Sequence, residues 1–83
     1  MTKRTLNEIA SEALACNTLK GNTRFYAAAY LEPMTTLDNI HDTYGVDSAR
    51  AIVAYALSNL RSWRGEDAQR IKAELNAHLK GVK

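Results

Sequence analysis

The most continuous apolar stripe in the chain lies between Asp47 and Trp63. Its positions recur every three or four residues, as they do on the buried face of an amphipathic helix. They are Ala49, Ile52, Val53, Ala56, Leu57, Leu60 and Trp63. Asp47 or Ser48 can cap the start of this helix, and Gly65 is well placed to end it. The pattern therefore predicts one long central helix around which the rest of the chain packs.

Two further helices are predicted in the first half of the chain. The capping-box sequence Thr5–Glu8 opens a helix over residues 6–19, and Lys20–Gly21 closes it. The aromatic and alanine-rich segment from Arg24 to Leu31 predicts a second helix, which Pro33 stops because the residue before a proline is disfavoured in the helical conformation. A strand is the alternative for this segment, but three consecutive alanines argue against it.

The remaining apolar positions predict a short helix before the long one and another helix after it. Leu37, Ile40 and Tyr44 share one face of a helix that spans residues 37–44 and ends at Gly45. Glu66–Asp67 opens the last helix with acidic residues in its first turn. Its inner stripe is formed by Ala68, Ile71, the stem of Lys72, Leu75 and Leu79, and Lys80–Gly81 ends it. The predicted fold class is all-α, a compact bundle of four to five short helices with one long central helix.

Composition supports a small globular protein. The chain has 83 residues, of which 46% are hydrophobic and 24% charged, so we expect one helical domain over residues 1–83. No apolar run approaches the roughly 20 residues that a membrane span needs. The charged N-terminal sequence does not fit a signal peptide. A cytoplasmic location is therefore expected.

The residue types that carry chemistry do not form a motif. Cys16 is the only cysteine, and neither His41 nor His78 lies in a metal-binding sequence frame. Asp38 and Asp42 would lie one turn apart on a helix, but two carboxylates form a poor cation site without further oxygen ligands. The sequence predicts neither an enzyme nor a cofactor.

Charge is unevenly distributed, which points to a surface for a partner. Residues 32–47 contain four acidic groups and no Lys or Arg, and residues 48–83 carry seven basic groups against three acidic ones. Arginine and tryptophan dominate the binding energy of many interfaces. The candidate partner-binding residues are Arg50, Arg61, Trp63, Arg64 and Arg70 on the basic side, and Asp38 and Asp42 on the acidic side. Trp63 can instead be the core residue at the end of the long helix, and the two charged surfaces could pair in a homodimer.

Residues 37–54 can also be compared with a helix-turn-helix motif, with Gly45 at its turn. The second helix offers only Arg50 for reading bases. Asp38, Asp42 and Asp47 would lie near phosphates and oppose binding. A DNA-binding regulator is therefore the alternative, and direct DNA binding is ranked below protein binding.

The region from Tyr44 to Gly65 resembles a small uncharacterised domain family of phages and conjugative elements. That family has an aromatic–glycine pair before a helix with an early arginine, matched here by Tyr44–Gly45 and Arg50. Its following run of tryptophan, aspartate, glycine and arginine is matched in part by Trp63–Arg64–Gly65–Glu66. The resemblance implies a non-enzymatic protein-binding protein of the anti-CRISPR type, an inhibitor that binds a Cas protein of a host defence complex. A helical dimerisation or scaffold module is the third hypothesis.

Overall fold

The computed structural model describes residues 4–38, 40–41, 43–45 and 47–80, with the backbone alone for Tyr44. These residues form four helices and one two-stranded antiparallel hairpin. The helices are α1 (Leu6–Ala15), α2 (Gly21–Met34), α3 (Ala49–Asn59) and α4 (Glu66–Leu79). The strands are β1 (Thr43–Tyr44) and β2 (Asp47–Ser48), between α2 and α3.

The four helices enclose one hydrophobic core. Each helix packs against the next one along the chain, and α1 also packs against α4, so the contacts form a closed ring. The stripe predicted for the central helix is buried: Ala49, Ile52, Val53, Ala56, Leu60 and Trp63 are each less than 5% exposed, and Leu57 is half-buried. Ala27 on α2 and Ala56 on α3 are fully buried, and such small side chains allow two helix backbones to approach closely. The predicted all-α class is confirmed.

The predicted long central helix is wrong in length. Helix α3 has 11 residues, whereas α2 and α4 each have 14. Ser48 caps α3 by accepting a hydrogen bond from the Ala51 amide, but the helix ends at Asn59 and residues 60–64 form a turn and loop. Lys72 on α4 donates from Nζ to the carbonyls of Leu60 (3.2 Å) and Trp63 (2.6 Å). These carbonyls thus have a partner outside the helix, which allows the chain to leave the helical path and still bury Trp63.

Helix α1 begins as predicted and ends earlier. Thr5 and Glu8 form the capping box, and Thr5 lowers the pKa of the Glu8 carboxyl by donating hydrogen bonds to it. The helix stops at Ala15 and not at residue 19, because Cys16 has an extended backbone. The following turn brings Leu19 back into the core, where it is 1% exposed.

Helix α2 extends past the predicted stop. Pro33 lies inside its last turn, and the helix ends at Met34. Proline lacks an amide hydrogen and so removes one helical hydrogen bond, but a single missing bond in the final turn does not end the helix. The helical prediction for this segment is confirmed, and the strand alternative is wrong.

The predicted helix over residues 37–44 is wrong. Its described residues form loop, turn and strand β1, in which Thr43 pairs with Ser48 and Tyr44 with Asp47. The carbonyls of Leu37 and Asp38 accept hydrogen bonds from the amides of Asn7 (2.9 Å) and Leu6 (3.0 Å). These two amides lie in the first turn of α1, where a backbone amide has no acceptor within the helix. Because those carbonyls bind another helix, they do not accept the bonds that a helix over this segment needs. Leu37 and Ile40 still reach the core.

Candidate protein-binding site

Four aromatic rings lie together on the outside of α2 and α3. Phe25 is 73% exposed, Tyr26 59% and Tyr55 57%, and Tyr30 is half-buried. The rings of Phe25 and Tyr26 meet edge to face with centroids 5.3 Å apart, and those of Tyr30 and Tyr55 are tilted with centroids 5.4 Å apart. We call Phe25, Tyr26, Tyr30 and Tyr55 the aromatic face.

The aromatic face arises because α2 carries apolar residues on all of its sides. Residues 25–31 contain no charged residue and no polar group other than the tyrosine hydroxyls. Packing against α1 and α3 buries Ala27, Leu31 and Met34, which leaves Phe25 and Tyr26 on the opposite side. The sequence places Tyr26 and Tyr30 on one side of a helix but does not show whether that side is buried. The available signal in the sequence was an apolar run without a polar side. A small core cannot bury every side of such a helix, so one apolar side stays exposed.

Two grooves border the aromatic face. The first, of about 650 Å³, runs along Phe25, Ala28 and Ala29 and passes Glu32. The second, of about 630 Å³, lies between α2 and α3, where Tyr30 and Tyr55 face the start of α3 and strand β2. Together they give the aromatic face the concave shape into which side chains of a partner can fit.

The predicted basic surface is dispersed by the fold. Arg50 at the start of α3 donates from Nη1 to the Leu79 carbonyl at the end of α4 (2.5 Å). Arg61 and Arg64 are exposed and bond no other group in the described parts of the chain. Arg50 lies in the first turn of α3, whereas Arg61 lies in the turn that follows Asn59, so most of the length of the helix separates them. These three arginines therefore do not form one continuous basic edge.

Arg70 faces α1 and belongs to an ion-pair network there. It pairs with Glu12 on α1 and with Asp67 (3.3 Å) and Glu74 (3.6 Å) on its own helix. Arg4 pairs with Glu12 (2.7 Å) and binds Glu74 through two nitrogens (2.5 and 2.9 Å). We call these five side chains the α1–α4 ion-pair network.

The network shifts the protonation of its members. Hydrogen bonding to Arg70, and to a smaller extent to Arg4, lowers the pKa of Glu12 to about 2. Hydrogen bonding to Glu74 raises the pKa of Arg4, and hydrogen bonding to Glu12 raises that of Arg70. The ion pairs between α1 and α4 therefore favour the charged forms of Glu12, Arg4 and Arg70.

Trp63 lies in the core. It is 3% exposed, and its indole Nε1 donates to the Thr18 hydroxyl (3.0 Å) in the turn after α1. An indole buried in this way offers almost no surface to a partner. Of the two alternatives for Trp63, core or interface, the structure shows the core.

Two residues of the acidic stretch, Asp38 and Asp47, have described surroundings that bear on the predicted acidic surface. Asp38 accepts a hydrogen bond from Asn7 Nδ2 (2.8 Å) at the start of α1. Asp42 lies outside the described residues. Asp47, which the sequence groups with them in the acidic stretch, borders the groove between α2 and α3.

Other kinds of site receive no support from the described residues. The helix-turn-helix comparison needs a helix before Gly45, and strand β1 occupies that position. No three His, Cys, Asp or Glu side chains within the described ranges are close enough to hold a metal ion. His78 is buried, and its Nε2 lies 2.9 Å from the Arg4 carbonyl oxygen. None of the described helices has the length and apolar character needed to cross a membrane.

No protein-family model, curated protein or solved structure matches this chain. The resemblance to the mobile-element family therefore stays a prediction.

Proposed function

We propose that this chain is a non-enzymatic protein-binding protein and that the aromatic face is its contact surface. The observation that carries the proposal is the exposure of Phe25, Tyr26 and Tyr55 on adjacent helices. Tyr30 connects them, because it contacts the Tyr55 ring and lines the same groove as Phe25 and Tyr26. Single apolar side chains are common on protein surfaces, whereas contiguous ones mark contact sites. Tyrosine and phenylalanine are also enriched at interfaces, where rigid rings bury a large area at a small cost in conformational entropy.

The size of the protein fits this role. A chain of 83 residues buries a modest core, and a partner that covers the aromatic face would add apolar burial. The class of partner comes from the family resemblance alone. That resemblance favours an inhibitor that binds a nucleic-acid-handling protein of a host defence complex, such as a Cas effector.

Two double variants test the proposal. Phe25→Ser with Tyr26→Ser alters the aromatic face, and Arg61→Glu with Arg64→Glu alters the exposed arginines favoured by the sequence. All four residues are exposed, so both variants should fold, which circular dichroism checks. Each tagged chain is used to capture proteins from cells of the source organism, and self-association is measured by sedimentation.

We expect the wild-type chain to retain a protein, or a second copy of itself, that the aromatic variant loses and the arginine variant keeps. With the purified partner, calorimetry should show at least about a tenfold loss of affinity for the aromatic variant. Equal binding by the wild type and the aromatic variant would contradict the proposal, and loss in the arginine variant alone would assign the contact to Arg61 and Arg64.

A further inference from the structure

The groove between α2 and α3 combines aromatic, aliphatic and acidic groups. Tyr30 and Tyr55 form its aromatic wall, Pro33 and Ala51 contribute apolar surface, and Asp47 also lines it. Asp47 is exposed, and its carboxylate has no hydrogen bond or ion pair with any residue in the described ranges. The groove thus offers a negative charge next to two aromatic rings.

This combination favours a cation on an apolar stem. A cation is attracted both to the carboxylate and to the electron-rich faces of the tyrosine rings. The stem of a long basic side chain can lie against Pro33 and Ala51, as such stems commonly do on apolar surfaces. A neutral or acidic side chain would gain neither electrostatic contact, and one carboxylate is too few for a divalent metal ion.

We propose that this groove binds a basic side chain of the partner protein, with arginine preferred over lysine. The inference rests on the proposed function, because the side chain belongs to the protein that covers the aromatic face. Arginine is preferred because a planar guanidinium can both stack on an aromatic ring and donate two hydrogen bonds to a carboxylate, and Tyr30, Tyr55 and Asp47 line the same groove. Lysine carries a compact, strongly hydrated charge that cannot do both.

A titration with small probes tests the groove without the partner. N-acetyl-arginine amide is added to the full chain, and chemical shifts of the backbone and of the Tyr30 and Tyr55 rings are followed by NMR. N-acetyl-citrulline amide is the neutral counterpart of nearly the same shape, and N-acetyl-norleucine amide supplies the apolar stem alone. N-acetyl-lysine amide tests the preference between the two cations.

We expect saturable shifts around Tyr30 and Tyr55 with the arginine probe, weaker ones with the lysine probe, and none with the neutral probes. Asp47→Asn should weaken arginine binding about tenfold, since it removes the charge and keeps the shape. Tyr55→Leu should weaken it as well, whereas Glu66→Gln, an exposed acidic position on α4, should have no effect. All three positions are exposed, and amide spectra check that each variant is folded.

Three results would overturn the inference: no saturable shift with the arginine probe, equal shifts with the citrulline probe, or unchanged binding by Asp47→Asn. Lysine binding as strong as arginine binding would overturn the preference. If Asp47→Asn keeps partner binding that Phe25→Ser with Tyr26→Ser abolishes, the proposed function stands and the inference about the groove fails. If the arginine probe binds but the aromatic variant keeps its partner, the proposed function fails instead.

Discussion

Three basic side chains bind the carbonyl ends of helices. Arg24 donates to Leu14 near the end of α1 (2.6 Å), Lys72 to the carbonyls that follow α3, and Arg50 to Leu79 at the end of α4. The last carbonyls of a helix lack partners within it and carry partial negative charge, so a cation there is favourable. Arg50, which the sequence suggests for a partner, thus binds a helix end inside the fold.

Lys72 permits a test of this role at one residue. Lys72→Met keeps the aliphatic stem and removes both hydrogen bonds from Nζ, so we expect the free energy of unfolding to fall by about 1–2 kcal/mol. The measurement is urea unfolding followed by circular dichroism. The matched control is Lys20→Met, because Lys20 is exposed and should tolerate the change within about 0.5 kcal/mol. Equal stability of the two variants would show that the Lys72 bonds contribute nothing.

At the scale of the elements, α3 shows how a face can be predicted correctly when a boundary is not. Burial of the stripe from Ala49 to Trp63 continues after the helix ends at Asn59, because the turn at residues 60–62 carries Leu60 and Trp63 inward. The hydrophobic pattern reports which side chains must avoid water. It does not report which backbone conformation takes them there.

The buried stripe from Ala49 to Trp63 is open to a direct test by truncation. Ile52→Ala and Leu60→Ala should each lower the free energy of unfolding by about 2–4 kcal/mol, because each leaves a cavity in a small core. Ser58→Ala, on the exposed side of the same helix, is the control and should change stability little. Thermal unfolding gives the comparison, and unchanged melting of both truncation variants would mean that this face is not the one in the core.

For the whole molecule, the α1–α4 ion-pair network joins the two ends of the described chain. Glu12 and Arg4 lie at the first helix, and Glu74 and Arg70 lie on the last. Together with the packing of α1 on α4, these pairs close the ring of helices. The network is partly exposed, so solvent screens it and its contribution is smaller than that of a buried pair.

The network predicts that stability falls in acid. The pKa of Glu12 is about 2 in the folded chain, against an ordinary value of 4.5, so folding favours its ionised form. Its contribution is present above pH 4.5 and is lost as the pH falls from there towards 2. Its side chain is 35% exposed, so we expect Glu12→Gln to cost on the order of 1 kcal/mol at pH 7 after allowance for screening.

Urea unfolding at a series of pH values measures this effect. The difference in unfolding free energy between the wild type and Glu12→Gln should shrink towards zero as the pH approaches 2. Glu32→Gln, at an exposed position on α2 outside the network, serves as the control and should show a small difference at each pH. A Glu12→Gln difference that stays constant with pH would contradict the assignment of the shifted pKa.

The candidate site was only partly predictable from its residues. The helical spacing of Tyr26 and Tyr30 follows from the sequence, but their exposure does not, because α2 has no polar side that must face water. The contact between Tyr30 and Tyr55 joins two different helices, and the two residues are 25 positions apart in the sequence. Only the packing of α2 on α3 places these rings together and brings Asp47 to the edge of the same groove.

Local patterns were sufficient where a segment carries its own start signal and one apolar side. The capping box of α1, the Ser48 cap and inner stripe of α3, and the acidic first turn of α4 are examples. The segment over residues 37–44 has a helical pattern too, yet its carbonyls at Leu37 and Asp38 bind the start of α1. Hydrogen bonds between distant segments outweigh local preference there. Such bonds form only when the folded chain brings the two segments together, so the local pattern of residues 37–44 cannot reveal them.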